Sequence, residues 1–191
     1  MTNRGWEYCR WGDLAALEYG KALRGYAGTN NGRYRVFGTN GPIGWHDKSL
    51  FPGPGVIVGR KGAYRGIYFS AEPCWVIDTA FYLKVRNSDR IDPRFAYYQL
   101  KTVNLDDIDS GSAIPSTSRA AFYEIPVAVP PLRTQSKIAA VLSAYDYLIE
   151  NNNRRIKILE EIAKRIYQEW FVDFRYPGHE NVSLVNSELG P

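Results

Sequence analysis

The chain is predicted to be an α+β protein: a head built on a mixed sheet or partial barrel, followed by one long coiled-coil α-helix. Two observations predict this. Between Tyr34 and Arg86, short runs rich in β-branched and aromatic residues are punctuated by Gly and Pro, the pattern of strands joined by tight turns. From Arg133 to Asp173, apolar residues recur alternately four and three positions apart, the a/d spacing of a coiled coil. The expected division is a head at 1–132, a helix at 133–174 and a polar tail or linker at 175–191.

Taken in order, Trp6 to Leu17 mixes apolar and polar residues without a clean period and predicts no element. Gly20 to Gly32 reads as a loop rich in Gly, Asn and basic residues. Strands are expected at Tyr34–Phe37, Gly55–Arg60, Gly66–Ser70, Trp75–Ile77 and Ala80–Arg86, with a turn at Gly38-Thr39-Asn40-Gly41. Asp92-Pro93 marks a helix start, Asp92 as N-cap and Pro93 at the first position. Phe95, Tyr98 and Leu100 are its expected buried face, and it should end before Leu105. Asp106–Ser118 reads as a polar loop and Ile125–Val129 as the last strand, closed by Pro130-Pro131.

The helix follows. Its seam is Ile138, Leu142, Tyr145, Ile149, Asn152, Ile156, Leu159, Ala163, Ile166 and Trp170. At ~1.5 Å per residue the span is roughly 60 Å, more than a head of this size can cover. The rod is therefore expected to meet another helix, from a second copy or from the rest of a longer chain. Asn152 is expected to sit in the seam of a continuous helix and set its register; the alternative is a break at Asn151-Asn152-Asn153. Val141, Leu148 and Ile162 add a second apolar stripe, available to a protein partner or to the chain's own head.

Composition excludes several classes. No apolar run approaches the ~20 residues of a membrane span, so no membrane association is expected. The first residues lack the apolar segment of a secretory signal, so a cytoplasmic protein with reduced Cys9 and Cys74 is expected. His46 and His179 stand in unrelated contexts, which makes no zinc site and no Ser/His/Asp set. No Asn/Asp-Pro-Pro-aromatic box or Phe-x-Gly-x-Gly loop is present, so neither amino-methyl transfer nor a cofactor is expected. Asp78 and Lys84 lack the second carboxylate of a metal-nuclease core. Net charge is +4, concentrated at the start: residues 1–65 hold ten Lys/Arg against four Asp/Glu. A basic lobe favours a polyanion.

The stretch Ile125-Pro-Val-Ala-Val-Pro-Pro-Leu-Arg-Thr-Gln135-Ser-Lys-Ile-Ala-Ala-Val-Leu, with Asp146, Ile149, Asn153-Arg-Arg-Ile, Leu159-Glu-Glu-Ile and Trp170-Phe-Val-Asp-Phe, resembles a known family. It is similar to the shared region of the specificity subunits of type I restriction-modification systems. A looser likeness runs through Gly5-Trp6-Glu7, Gly12-Asp13-Leu14, Gly55–Arg60 and Ser110-Gly-Ser-Ala-Ile-Pro. The resemblance implies a target-recognition head on double-stranded DNA and a non-catalytic role. It also implies docking of DNA methyltransferase subunits and a restriction (translocase-nuclease) subunit. Such subunits usually carry two heads and two long helices, whereas one of each is found here. The ending Ser187-Glu-Leu-Gly-Pro191 resembles a linker into a second head. The N-terminal half of a two-headed subunit is therefore expected, the alternative being a half-length subunit that works as a homodimer. The rival from another class is a coiled-coil scaffold whose head binds protein instead of DNA.

Reading DNA requires cations for phosphates and short polar or forked side chains for base edges. Lys21, Arg24 and Tyr26 offer these on the first loop, which is otherwise a solvated surface loop. Thr39 and Asn40 contact DNA or merely form a turn. Arg60, Lys61, Tyr64 and Arg65 on a Gly-bounded turn are the strongest candidates, against a basic hairpin facing water. Ser116, Thr117 and Ser118 set three hydroxyls beside the Arg119 guanidinium, with Ser116, Thr117 and Arg119 as candidate contacts, or else this is a loop capping a short helix at Ala120.

Overall fold

The structure, a computed structural model, describes residues 5–26 and 32–182; the Ser187–Pro191 ending and residues 27–31 of the Gly20–Gly32 loop lie outside the described residues. The chain divides into two units, Met1–Leu142 and Ser143–Pro191. In the first, strands β1 (Glu7–Arg10), β2 (Ala15–Tyr19), β3 (Tyr34–Gly38), β4 (Gly41–His46), β5 (Gly55–Gly59), β6 (Ile67–Ser70), β7 (Cys74–Val76), β8 (Ala80–Val85) and β9 (Pro126–Val129) form three open sheets. The orders are β1-β9, β2-β8-β5-β6 and β4-β3-β7. All pairs are antiparallel except β3 with β7, so the predicted α+β class with a mixed sheet is found.

β5 (Gly-Val-Ile-Val-Gly) is buried throughout, as a central strand covered on both faces must be. Its Val56 and Val58 join a core with Trp11, Leu17, Phe81 and Phe122, while Ile57 faces a smaller cluster with Phe37, Phe51 and Val76. All six strands expected from sequence lie within two residues of their observed ends. β1, β2 and β4 were not expected. A single helical turn, α1 (Trp11–Leu14), joins the first two. β2 is built from Ala15, Ala16, Leu17 and Glu18, residues that favour helix, and is held as a strand by its antiparallel ladder to β8. β4 contains Pro42 and two glycines, tolerated because it is an edge strand.

Helix α2 (Pro93–Lys101) starts as predicted: the Asp92 carboxylate accepts from the backbone N–H of Arg94 and of Phe95 at 2.8 and 2.9 Å. Its buried face is Phe95, Ala96 and Leu100, with Tyr98 only half-buried against Tyr97. The expected polar loop contains a 3-10 turn at Leu105–Ile108, whose two ends are apolar and buried. Ser118 caps α3 (Arg119–Glu124) by accepting from Ala121 N–H.

Helix α4 (Leu132–Tyr167) is 36 residues long and passes into a five-residue π turn at Gln168–Val172. It is continuous through Asn151-Asn152-Asn153. Within the first unit its opening turns are docked: Gln135 and Ala139 are buried, and Ile138 packs on the core. Ile138 is thus removed from the expected pairing seam, because its side chain is spent on its own head. In the second unit Tyr145, Ile149, Asn152, Ile156, Leu159, Ala163 and Ile166 are all exposed, as an unpartnered seam would be. Trp170, at 40% exposure, lies in the π turn, where the wider winding takes it out of the 3.5-residue phase. No helix among the described residues is long and apolar enough to cross a membrane.

Candidate nucleic-acid interface

Four segments far apart in sequence are stitched together by backbone hydrogen bonds at one end of the sheets. Gly66 N–H donates to Thr39 O at 3.0 Å, tying the basic turn to the β3–β4 turn. Arg60 and Lys61 N–H groups both donate to Thr79 O, the turn before β8, at 2.9 and 3.2 Å. Gly62 N–H donates to Pro115 O and Thr117 N–H to Arg60 O, at 2.9 and 2.8 Å, so the expected polar loop runs as a short ladder beside the basic turn. Gly59 makes this closeness possible: a Cβ there would stand 2.8 Å from both Gly66 N and Thr39 O. The first loop joins the same cluster, Gly20 N–H donating to Ala80 O and Lys21 N–H to Val76 O.

The expected DNA-contacting residues separate into two sets. Lys21, Arg24, Asn40, Lys61 and Tyr64 are exposed, Tyr64 to 83%. Arg60, Ser116 and Arg119 are half-buried at the same cluster. Tyr26 is half-buried, its backbone filling the space beside Gly44 of β4.

Three residues are corrected. The Arg65 side chain is 1% exposed and forms ion pairs with Asp109 and Asp106 at 2.6 and 2.7 Å. It fastens the basic turn to the 106–118 loop and has no face for DNA. Burial opposes its charge, but the two carboxylates hold its pKa above the ordinary value. Asp109 in turn accepts from Gly111 and Ser116 N–H, and these bonds with Arg65 hold its carboxyl below the usual range. Thr117 is buried, its hydroxyl donating to Gly59 O at 2.8 Å. The Thr39 hydroxyl oxygen is likewise buried, without a partner among the described residues. Thr39 and Thr117 shape the turn from within. Ser118, by contrast, fulfils the helix-capping alternative.

One aromatic escaped the sequence reading. Tyr19, at the end of β2, is 46% exposed, and the Arg60 and Arg119 guanidiniums lie over its ring at 4.7 and 5.0 Å from the centroid. The signal was hidden because its strand was not expected. A second cation–aromatic group, Arg35 over Trp45 at 4.8 Å, sits on the β4-β3 pair; the alternation Arg33-Tyr34-Arg35 was its only sequence cue.

The arrangement is a charged loop cluster mounted on sheet ends. Comparison with known proteins places it. The family model of the type I restriction modification DNA specificity domain matches residues 3–161, and the chain belongs to that family. It is 36% identical over 105 residues to the type I restriction enzyme MjaIX specificity subunit of Methanocaldococcus jannaschii, covering 53% of this chain and 24% of that one. The EcoprrI specificity subunit of Escherichia coli is 29% identical over 132 residues, 69% of this chain and 32% of the relative. The fold matches the crystal structure of the type I S subunit from M. genitalium with a TM-score of 0.76 at 21% identity, over 90% of this chain and 47% of that one. The chain thus spans about a quarter to a third of these two curated relatives and about half of the solved subunit.

Proposed function

We propose that this chain is a non-catalytic DNA-specificity module, whose head reads one half of a bipartite double-stranded target. Helix α4 would set the distance to a second head, supplied by a second copy or by the other half of a longer subunit. Methyltransferase subunits and a restriction subunit with translocase activity would dock on this scaffold and supply the chemistry, so no cofactor belongs to the chain. The observation that supports the reading is the convergence of Lys21, Asn40, Arg60, Lys61, Ser116 and Arg119 on one loop cluster of a family-defined specificity domain. The open seam of α4, exposed at Tyr145, Ile149, Ile156 and Leu159, supports pairing with another helix.

Lys61 is exposed and makes no ion pair among the described residues, as expected of a phosphate contact. Replacing it, Lys61→Ala, is expected to weaken binding to every duplex alike and reduce the salt slope by about 1. Filter binding across a salt series measures both. Unchanged affinity and slope, with no duplex bound in a salt-dependent way, would favour the protein-scaffold reading.

A further inference from the structure

Arg60 and Arg119 differ in what holds them from the arginines that form ion pairs. Arg10, Arg65, Arg90 and Arg175 each pair with a carboxylate. Arg60 and Arg119 pair with none among the described residues; every partner they have is neutral. Arg60 donates through Nη1 to the Asp78 carbonyl at 2.8 Å. Arg119 donates through Nε and Nη2 to the Tyr123 hydroxyl at 3.3 and 3.0 Å. Both guanidiniums rest on the Tyr19 ring, at 4.7 and 5.0 Å. Each lies within 5.0 Å of the same centroid, so the two stand no more than about 10 Å apart, about one Debye length, and salt screens their repulsion only in part. The fold holds two un-neutralised charges together in fixed orientations, beside a half-exposed ring.

We propose that Arg60, Tyr19 and Arg119 form a preassembled clamp for one phosphate of the DNA backbone, fixing the head's register on the duplex without reading a base. The inference rests on the DNA-reading function proposed above. A shared anion relieves the repulsion and takes the remaining N–H groups as charge-assisted donors. On Arg119 the Nε–Nη2 edge is taken by Tyr123 and on Arg60 one Nη1 proton by the Asp78 carbonyl, so each guanidinium keeps free N–H donors for phosphate oxygens. Orientation is set before binding, which lowers the ordering cost that a free surface arginine carries. Tyr19 acts as a positioning residue for both cations.

The test is filter binding of the full 191-residue chain to two duplex pools, one random and one selected for tight binding, over a salt series. Arg60→Ala and Arg119→Ala are each expected to weaken both pools by the same factor, roughly tenfold, and to lower the salt slope by about 1. The double variant should lower the slope no further, because one phosphate is shared. Tyr19→Phe keeps the ring but removes the hydroxyl that bonds Arg119, so it should weaken binding less than Tyr19→Ala, which should behave like the arginine variants at an unchanged melting temperature. Millimolar inorganic phosphate should displace no more DNA than chloride of equal ionic strength; stronger displacement would assign the site to a small anion and overturn the clamp. A changed base preference at one position, or additive slope losses, would also overturn it. If the three residues prove neutral while Lys61→Ala still weakens binding, the clamp fails and the DNA reading stands. If the parent chain binds neither pool, both fail together.

Discussion

Lys61 and Arg65 lie four residues apart on one turn, and their surroundings give them opposite duties. Lys61 reaches water, while Arg65 turns inward to the carboxylates of Asp106 and Asp109. Composition registers two cations and cannot register the partners, which come from a loop more than forty residues away. The same blindness hid Tyr19, whose value lies in the two guanidiniums that the fold lays across it. Arg65→Ala should free the 106–118 loop and cost about 2 kcal/mol, since it removes a buried side chain and unpairs its acceptors. Its pH dependence has a definite sign. The Asp109 carboxyl is held below its ordinary value, so its contribution is complete above the unfolded value of about 3.9. The contribution is lost as pH falls through the lower, folded value. The melting-temperature gap between the parent and Arg65→Ala should therefore be constant near neutrality and narrow below about pH 4.

Elements were legible where local chemistry and tertiary demand agree. The Asp92-Pro93 start of α2 needs only capping geometry, and the all-apolar β5 needs only burial. β2 was illegible because a run of helix formers is overruled by its pairing with β8; β4 was hidden by its glycines and proline. The heptad period of α4 was plain, but where docking ends and free seam begins was not. That boundary depends on Gln135. Its side chain is fully buried: Nε2 donates to Pro130 O and Arg90 O at 2.7 and 2.9 Å, and Oε1 accepts from Asp92 N–H at 2.8 Å. One amide thus fastens the start of α4 to the cap of α2 and to the chain between β9 and α4. Gln135→Leu fills similar space but leaves three backbone groups, at buried Pro130 and half-buried Arg90 and Asp92, without partners. A loss of about 3 kcal/mol is expected, read as a shift of the urea midpoint with little change in slope. An unchanged midpoint would mean that the amide is not the anchor.

For the molecule as a whole, the proposed activity is a measured distance between two DNA-reading heads. Family membership and fold came within reach of the sequence because the Ile125–Leu132 signature and the seam are local patterns. The loop cluster was legible only in part, since its segments meet through hydrogen bonds between residues remote in the chain. The described seam offers Tyr145, Ile149, Ile156 and Leu159 to another helix, and the length of that contact would fix the gap between half-sites. The most direct test is to select tight-binding sites from random duplexes with the chain assembled on its methyltransferase subunits. The parent would be compared with a variant carrying one extra heptad after Asn152. Seven residues add about 10 Å of helix, or about three base pairs of duplex at 3.4 Å each. The account predicts two short fixed motifs whose sequences stay the same while the gap between them widens by about that amount. A single continuous motif, or a gap indifferent to the inserted heptad, would contradict it.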